Sequence, residues 1–244
     1  MKALILNSGV GKRMGELTRE QPKCMTPIYE RHTILGWQLE LLKQAGITDV
    51  VITTGPFADV LEAYALEQLP SIRFVHNPRY NETNYIYSMY LARELLRDDL
   101  LLLHGDVVLE RSVLEELLTV SKSAVAVERR IPPPEKDFKA RLIRGRVREI
   151  GVHVFGEDCV ASQPAYKLQR ADMEIWLDAI SQFCGRGETG VYAENALNTV
   201  FDRVEMIPVA LKGRLCNEVD DAEDLRMVSG RFRALLNNTE DTGV

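Results

Sequence analysis

The sequence has no surplus of positive charge, no long apolar run and no patterned cysteine. Lys+Arg number 30 against Asp+Glu 36 in 244 residues, a formal charge of −6. No basic surface is on offer to a polyanion, so nucleic acid and anionic membranes are not expected as main partners. The first apolar run, Ala3-Leu4-Ile5-Leu6, stops at polar Asn7. It is too short for a signal-peptide core or a membrane span, and a soluble, cytoplasmic protein is expected. Four cysteines, Cys24, Cys159, Cys184 and Cys216, are widely scattered without a C-x-x-C pair, which argues against a disulfide framework or a zinc site. There is no internal repeat and no linker clean enough to split the chain. The 45% of apolar residues suffices for one sizeable α/β core. A single domain over 1–236 with a frayed tail over 237–244 is expected.

Strand-like and helix-like segments alternate through the first half, the pattern of parallel strands joined by crossover helices. Strands are expected at 2–6, 49–54, 72–75, 99–103 and 123–127. Helices are expected at 33–45 with Gly46 as the stop, then at 56–69, 84–96 and 111–120. After Pro132-Pro133-Pro134, segments 139–143 and 147–150 flank Gly145 as a hairpin added to the sheet. Helices at 171–184, 194–202 and 222–236 and a strand at 204–209 complete the reading. The fold class is therefore α/β: a Rossmann-like, mixed but mostly parallel sheet with helices on both faces. Segment 130–202 would cover a second substrate.

The first strand runs straight into Leu6-Asn7-Ser8-Gly9-Val10-Gly11-Lys12-Arg13-Met14-Gly15. Glycines there let the backbone approach a phosphate and aim amides at it, while Lys12 and Arg13 add charge. Leu6, Asn7, Ser8, Gly9, Gly11 and Lys12 are the nucleotide-binding candidates. Gly9, Gly11 and Gly15 are spaced G-x-G-x-x-x-G, which fits neither the dinucleotide fingerprint nor the Walker loop. The second strand ends in Thr53-Thr54-Gly55 without an acid, a further argument against a dinucleotide redox enzyme. Gln21-Pro22-Lys23-Cys24-Met25 sets a lysine behind a proline whose ring restricts the backbone.

The pair G-x-G-x-R-M and P-K-x-M resembles the sugar-phosphate nucleotidyltransferase superfamily, and most of all its small cytidylyltransferases that activate phosphocholine and phosphono-compounds. Asn7-Ser8 stands where many relatives have Ala-Ala. The resemblance extends to about residue 235. It implies a nucleotide-diphospho-sugar transferase fold, a loop wrapped around a nucleoside triphosphate (CTP favoured), Arg13 on the triphosphate, and Lys23 stabilising the charge that develops during transfer. It also implies that Asp106 of His104-Gly105-Asp106 and Asp220 of Glu218-Val219-Asp220-Asp221 share Mg²⁺, a hard ion suited to carboxylates, waters and phosphate oxygens. On the residues alone, Asp221 also suits a cap for the last helix and Asp106 an ordinary turn position, each the lesser alternative. Asn77 to Ser88, with Thr83-Asn84 and then Ser88, resembles the segment beside the nucleotide base. There Thr83 would cap a helix, with Asn84 and Ser88 turned to the nucleoside.

For the acceptor, a small phosphorylated molecule, the candidates are Lys136 and Lys139, Tyr166 and Lys167, and Glu194 and Asn195. Tyr80, Tyr85, Tyr87 and Tyr90 offer an aromatic wall for an ammonium group, although tyrosines at helical spacing more often pack against a core. Of the four histidines, only His104, beside Asp106, draws notice. The rival readings are a hexose-1-phosphate uridylyl- or thymidylyltransferase and a catalytically silent nucleotide-binding module. A homodimer is the default assembly.

Overall fold

The computed structural model describes residues 1–132 and 135–240. In chain order the elements are β1 (Lys2–Asn7), β2 (Pro27–Tyr29), β3 (His32–Thr33), α1 (Ile34–Gln44), β4 (Val50–Thr54), α2 (Ala58–Gln68), β5 (Arg73–His76) and α3 (Tyr85–Ala92). There follow β6 (Leu100–His104), β7 (Val107–Leu109), α4 (Arg111–Thr119), β8 (Ser123–Glu128), β9 (Lys139–Ile143), β10 (Arg146–Gly151) and β11 (Cys159–Leu168). Last come α5 (Arg170–Gly185), α6 (Ala193–Asn198), β12 (Met206–Ala210), β13 (Cys216–Glu218) and α7 (Ala222–Glu240).

The main sheet runs β10-β9-β11-β6-β1-β4-β5, with β8 on β11 and β12 on β8. Its first-half core, β6-β1-β4-β5, is parallel throughout. Period-two alternation divides the apolar residues between two layers. Ala3, Ile5, Leu101 and Leu103 face one layer, built with α1, α2, α4 and α7; Leu4, Leu6, Leu100 and Leu102 face the other, with α3, α5 and α6. The expected mixed sheet with helices on both faces is present.

From β1 the chain moves outward through β4 and β5, then returns to pair β6 on β1's other edge. This reversal opens a crevice at the carboxyl ends of β1 and β6, where open α/β sheets bind ligands. Leu6 lies in register with His104 across it.

Several boundaries differ from the sequence reading. The helix expected at 84–96 ends at Ala92 and tightens into a 3-10 turn over Arg93–Leu95. The one expected at 194–202 covers Ala193–Asn198, and the strand expected at 204–209 covers Met206–Ala210. The closing helix continues past Asn237 to Glu240; residues 241–244 of the expected tail, and Pro133-Pro134, lie outside the described residues. β11 is a strand that the sequence pattern does not predict. Its first residues pair with β9, and its last pair with β6 and β8 on opposite edges. Gln163-Pro164 falls in the register shift between those halves, and proline is tolerated in such an irregularity. The hairpin of β9 and β10 turns on Arg144 and Gly145, both at positive φ (52° and 76°), as a tight two-residue hairpin requires.

Candidate active site

A cleft of about 360 Å³ lies over the β1/β6 crevice, bordered by the glycine-rich turn, Lys23, the 104–106 turn and the segment after β13. At its floor Lys23 Nζ sits 2.6 Å from Asp106 Oδ2 and 2.6 Å from Asp220 Oδ1. The Arg13 guanidinium adds a 2.8 Å contact to the same Asp220 oxygen. Segments far apart in the sequence thus converge on two cations and two carboxylates. Burial opposes the charge on Lys23, but Asp106 and Asp220 outweigh it and hold the ammonium above its ordinary value. Burial likewise disfavours ionised Asp106, yet Lys23 and His104 keep its carboxyl below the usual range.

The turn is fixed from below. Asn7 donates its backbone N–H to Thr53 Oγ1 (3.1 Å), and Gly105 donates its own to the Leu6 carbonyl (3.0 Å). Gly11 is left-handed (φ 67°) and its carbonyl accepts the Thr18 hydroxyl at 3.0 Å. Gly9, Gly11, Lys12 and Arg13 line the cleft, with Lys12 and Arg13 exposed. Ser8 is buried, and its hydroxyl meets Ser88 Oγ at 2.9 Å. Ser88 in turn accepts from Asn77 Nδ2 at 3.0 Å. Ser88 therefore supports the turn from within the core and does not line the main cleft. Asn84 does line it, and Asn84, not Thr83, caps α3. Thr83 instead donates to the Arg79 carbonyl and accepts from Asn77.

A second cluster lies on the same floor. His104 and Asp106 are two residues apart at the end of β6, as are Glu218 and Asp220 at the end of β13. Glu218 stands opposite Val107 in the β13–β7 pairing, which brings it beside Asp106. One ligand-type atom from each of His104, Asp106 and Glu218 lies within 4.8 Å of the others. His104 Nδ1 and Glu218 Oε1 are 3.8 Å apart. Burial, together with Asp106 and Asp220, pushes the Glu218 carboxyl up to about 7, against the pull of His104. Asp106 Oδ1 and His104 Nε2 are buried without a hydrogen-bond partner.

Above this floor the Tyr85 ring stands edge-on to His104 (4.7 Å between centroids), Tyr192 is 5.8 Å from Tyr85, and Phe138 is 5.0 Å from Tyr192. Of Tyr80, Tyr85, Tyr87 and Tyr90, weighed as an aromatic wall against packing residues, Tyr85 alone lines this cleft. Tyr87 and Tyr90 stack on each other under Arg79 and Arg93. Glu194 is buried, its carboxylate accepting from the Tyr85 hydroxyl and, at 2.9 Å, from that of Tyr166. Tyr166 is buried too, so Glu194 and Tyr166 stand one layer behind the cleft. Lys136 reaches the cleft, but Lys139 and Lys167 do not. Lys139 Nζ donates to the Glu135 carbonyl and lies over the Phe155 ring. Lys167 Nζ donates to the Val120 carbonyl on β11's far side. Both residues are buried strand positions, and which face of a strand is covered depends on the sheet assembled around it. Asn195 is exposed in an adjoining cavity.

A glycine-rich turn carrying basic groups, set against paired carboxylates at a sheet's switch point, defines a nucleotidyltransferase. The chain belongs to the MobA-like NTP transferase domain family, whose model matches residues 3–181. It is 27% identical over 179 residues to the CTP:phosphoglutamine cytidylyltransferase of Campylobacter jejuni, covering 67% of this chain and 70% of that one. To the CMP-5'-(3-aminopropyl)phosphonate synthase of Streptomyces rubellomurinus it is 38% identical over 136 residues, 54% of this chain and 22% of the other. The CTP:phosphocholine cytidylyltransferase structure from Streptococcus pneumoniae superposes with a TM-score of 0.76 at 22% identity, covering 95% of this chain and 98% of that one, and shares the fold. No described helix is long and apolar enough to cross a membrane.

Proposed function

We propose that the chain transfers a cytidylyl group from CTP to a small phospho- or phosphono-acceptor such as phosphocholine or 2-aminoethylphosphonate, releasing pyrophosphate. The observation that carries this reading is Lys23 held between Asp106 and Asp220, with Arg13 on the same carboxylate, at the mouth of the glycine-rich turn. An oxygen of the acceptor forms a bond to the α-phosphorus, and the bond to the β-phosphate oxygen breaks with its electron pair leaving on pyrophosphate. No covalent enzyme intermediate is needed. Both reactants are polyanions, so their approach requires fixed positive charge.

Leu6, Asn7, Ser8, Gly9, Gly11 and Lys12 form the turn that seats the triphosphate, and Arg13 and Lys23 neutralise it and the leaving group. Asn84 sits at the nucleoside end, with Ser88 and Thr83 holding the turn and helix entrance behind it. Asp106 and Asp220 would hold Mg²⁺. The fit is good, since two carboxylate oxygens already converge on one cation and Asp106 Oδ1 has no partner. The ion supplies Lewis-acid polarisation of phosphate oxygens. The flexible Lys23 stem lets its ammonium turn from the carboxylates to the phosphates. CTP as donor is supported by the relatives, two of which carry CTP or CMP in their names. The acceptor lies against Tyr85, Phe138 and Tyr192, with Lys136 at the rim.

The test is divalent-metal-dependent pyrophosphate release with CTP, UTP, ATP, GTP or dTTP against phosphocholine, 2-aminoethylphosphonate and glucose 1-phosphate. Release with CTP and an amino-phospho acceptor, lost in Lys23→Ala, is expected. Activity confined to glucose 1-phosphate, or nucleotide binding without release for any acceptor, overturns the reading.

A further inference from the structure

We infer that Gln38, on the buried side of α1, is a positioning residue for Asp106: its side-chain amide clamps the two carbonyls that flank the Gly105-Asp106 turn and so aims the Asp106 carboxylate at the floor of the cleft. The inference rests on reading the cleft as a nucleotidyltransferase site and goes further by assigning the aim of that carboxylate to a residue outside the cleft.

Gln38 is 0% exposed, on a helix whose other buried residues, Ile34, Leu35, Trp37, Leu39, Leu41 and Leu42, are all apolar. An apolar side chain would continue that face, and an amide there costs free energy unless it is hydrogen-bonded. Gln38 Nε2 donates to the His104 carbonyl and to the Val107 carbonyl, each at 2.8 Å. Both partners are acceptors only, so the nitrogen is the atom that faces them. The other half of the amide gains nothing from its burial, because Oε1 has no hydrogen-bond partner. Stability alone does not favour such a group; its two donor bonds account for it.

The turn is gripped from three sides. Gly105 donates its N–H to the Leu6 carbonyl of β1 at 3.0 Å, and Val219, beyond β13, donates its N–H to the Asp106 carbonyl at 2.9 Å. Those bonds hold the middle of the turn. Gln38 ties its ends to each other through one nitrogen, which leaves the intervening Asp106 little freedom to turn its Oδ2 away from Lys23, 2.6 Å distant. Groups that act on a substrate or a metal are held to within about 0.5 Å only by hydrogen bonds of this kind behind them. Val219 directly precedes Asp220, so a shift of the Asp106 carbonyl reaches the second carboxylate as well.

Trp37, the neighbouring residue on α1, supplies the contrast. Its Nε1 donates to the Leu109 carbonyl at 2.8 Å, at the far end of β7, and its ring stands edge-on to Phe232 of α7 with 4.9 Å between centroids. It fastens β7 to the helix without bonding to the turn.

The experiment compares Gln38→Met, which keeps the side-chain length and removes both donors, with Trp37→Phe, which removes one hydrogen bond between the same helix and the strand after the turn. Melting transitions report folding, calorimetric titration of the nucleotide-free protein with Mn²⁺ reads the carboxylates, and steady-state pyrophosphate release reads the reaction. Gln38→Met should bind Mn²⁺ about tenfold more weakly or worse and lose about as much in kcat, with KM for CTP within about twofold of wild type. Trp37→Phe should melt as low or lower and keep Mn²⁺ affinity and kcat within about twofold of wild type. Gln38→Asn, which keeps the amide but withdraws it by one methylene, should show the Gln38→Met losses in smaller degree and takes its place if that variant does not fold. Mn²⁺ affinity that is unchanged in the Gln38 variants, losses that simply track melting temperature across the Gln38 and Trp37 variants, or a wild type that binds no Mn²⁺ overturns the inference. Absent pyrophosphate release together with Gln38-dependent Mn²⁺ binding strikes the reaction and spares the positioning role.

Discussion

Gly105 packs so tightly against Asn7 that a Cβ on it would fall 1.7 Å from Asn7 Oδ1 and 2.8 Å from the Leu6 carbonyl oxygen. The last residue of β1 and the turn after β6 are thus locked at the point where, in the proposed reaction, the triphosphate and Asp106 meet. Gly105→Ala is expected to displace Asn7, lower stability by about 1–3 kcal/mol and weaken nucleotide binding. Asn7→Gly in the same chain should restore part of both, because it removes the atom in the way. Denaturant melts and a nucleotide titration across the four-protein cycle check this.

Lys23→Met keeps the length of the side chain and removes its charge. If Lys23 stabilises the developing charge, kcat/KM should fall about 100- to 1,000-fold. The metal-free protein should also melt lower near neutral pH, because Asp106 and Asp220 lose the cation between them. Divalent metal should narrow that gap in melting temperature and leave the kinetic loss in place. Recovery of full turnover with metal would show that Lys23 is only a structural counter-ion.

The parallel half of the sheet was legible because buried strands such as Val50–Thr54 and Leu100–His104 are short apolar runs bounded by turn residues, and helices such as Ile34–Gln44 carry a clear apolar stripe and a Thr33 cap. The turn from Leu6 to Gly15 and the Lys23 motif were legible because phosphate chemistry needs those residue types in one local stretch. What was not legible depends on contacts distant in sequence. Cys159–Leu168 contains Gln163-Pro164, a sequence signal for a turn, and is a strand because β6, β8 and β9 all pair with it. Lys139 and Lys167 read as cleft lysines until the sheet showed which way each strand position faces. The Glu218 pairing with His104 joins residues more than a hundred apart.

Ser88→Ala tests support of the turn from behind. The change leaves the Ser8 hydroxyl without that contact and removes one of the two acceptors of Asn77 Nδ2. A stability loss of about 1–2 kcal/mol is expected, with a severalfold rise in KM for the nucleotide and a smaller change in kcat. A kcat loss at unchanged KM would instead place Ser88 in the chemistry.

Glu128, at the end of β8 and not among the residues lining the cleft, gives a pH signature of the fold itself. Its Oε1 accepts the backbone N–H groups of Arg129 and Arg130, each at 2.8 Å, and its Oε2 accepts that of Gly213 at 2.8 Å. Burial alone would raise this carboxyl, but these N–H donors and the Arg130 charge hold it below its ordinary value of 4.5. A carboxylate depressed in the folded state stabilises the protein fully above the unfolded value, and that contribution fades as pH falls through the folded one. Glu128→Gln, which turns an N–H₂ group toward one of these donors, should therefore cost about 1–3 kcal/mol at pH 7. The cost should stay flat down to about pH 4.5 and shrink below it, where wild type loses the same charge. Melting temperatures of both proteins between pH 3.5 and 8 give the difference directly. A gap that widened on acidification would mean that the carboxyl group, and not the carboxylate, holds the Gly213 turn.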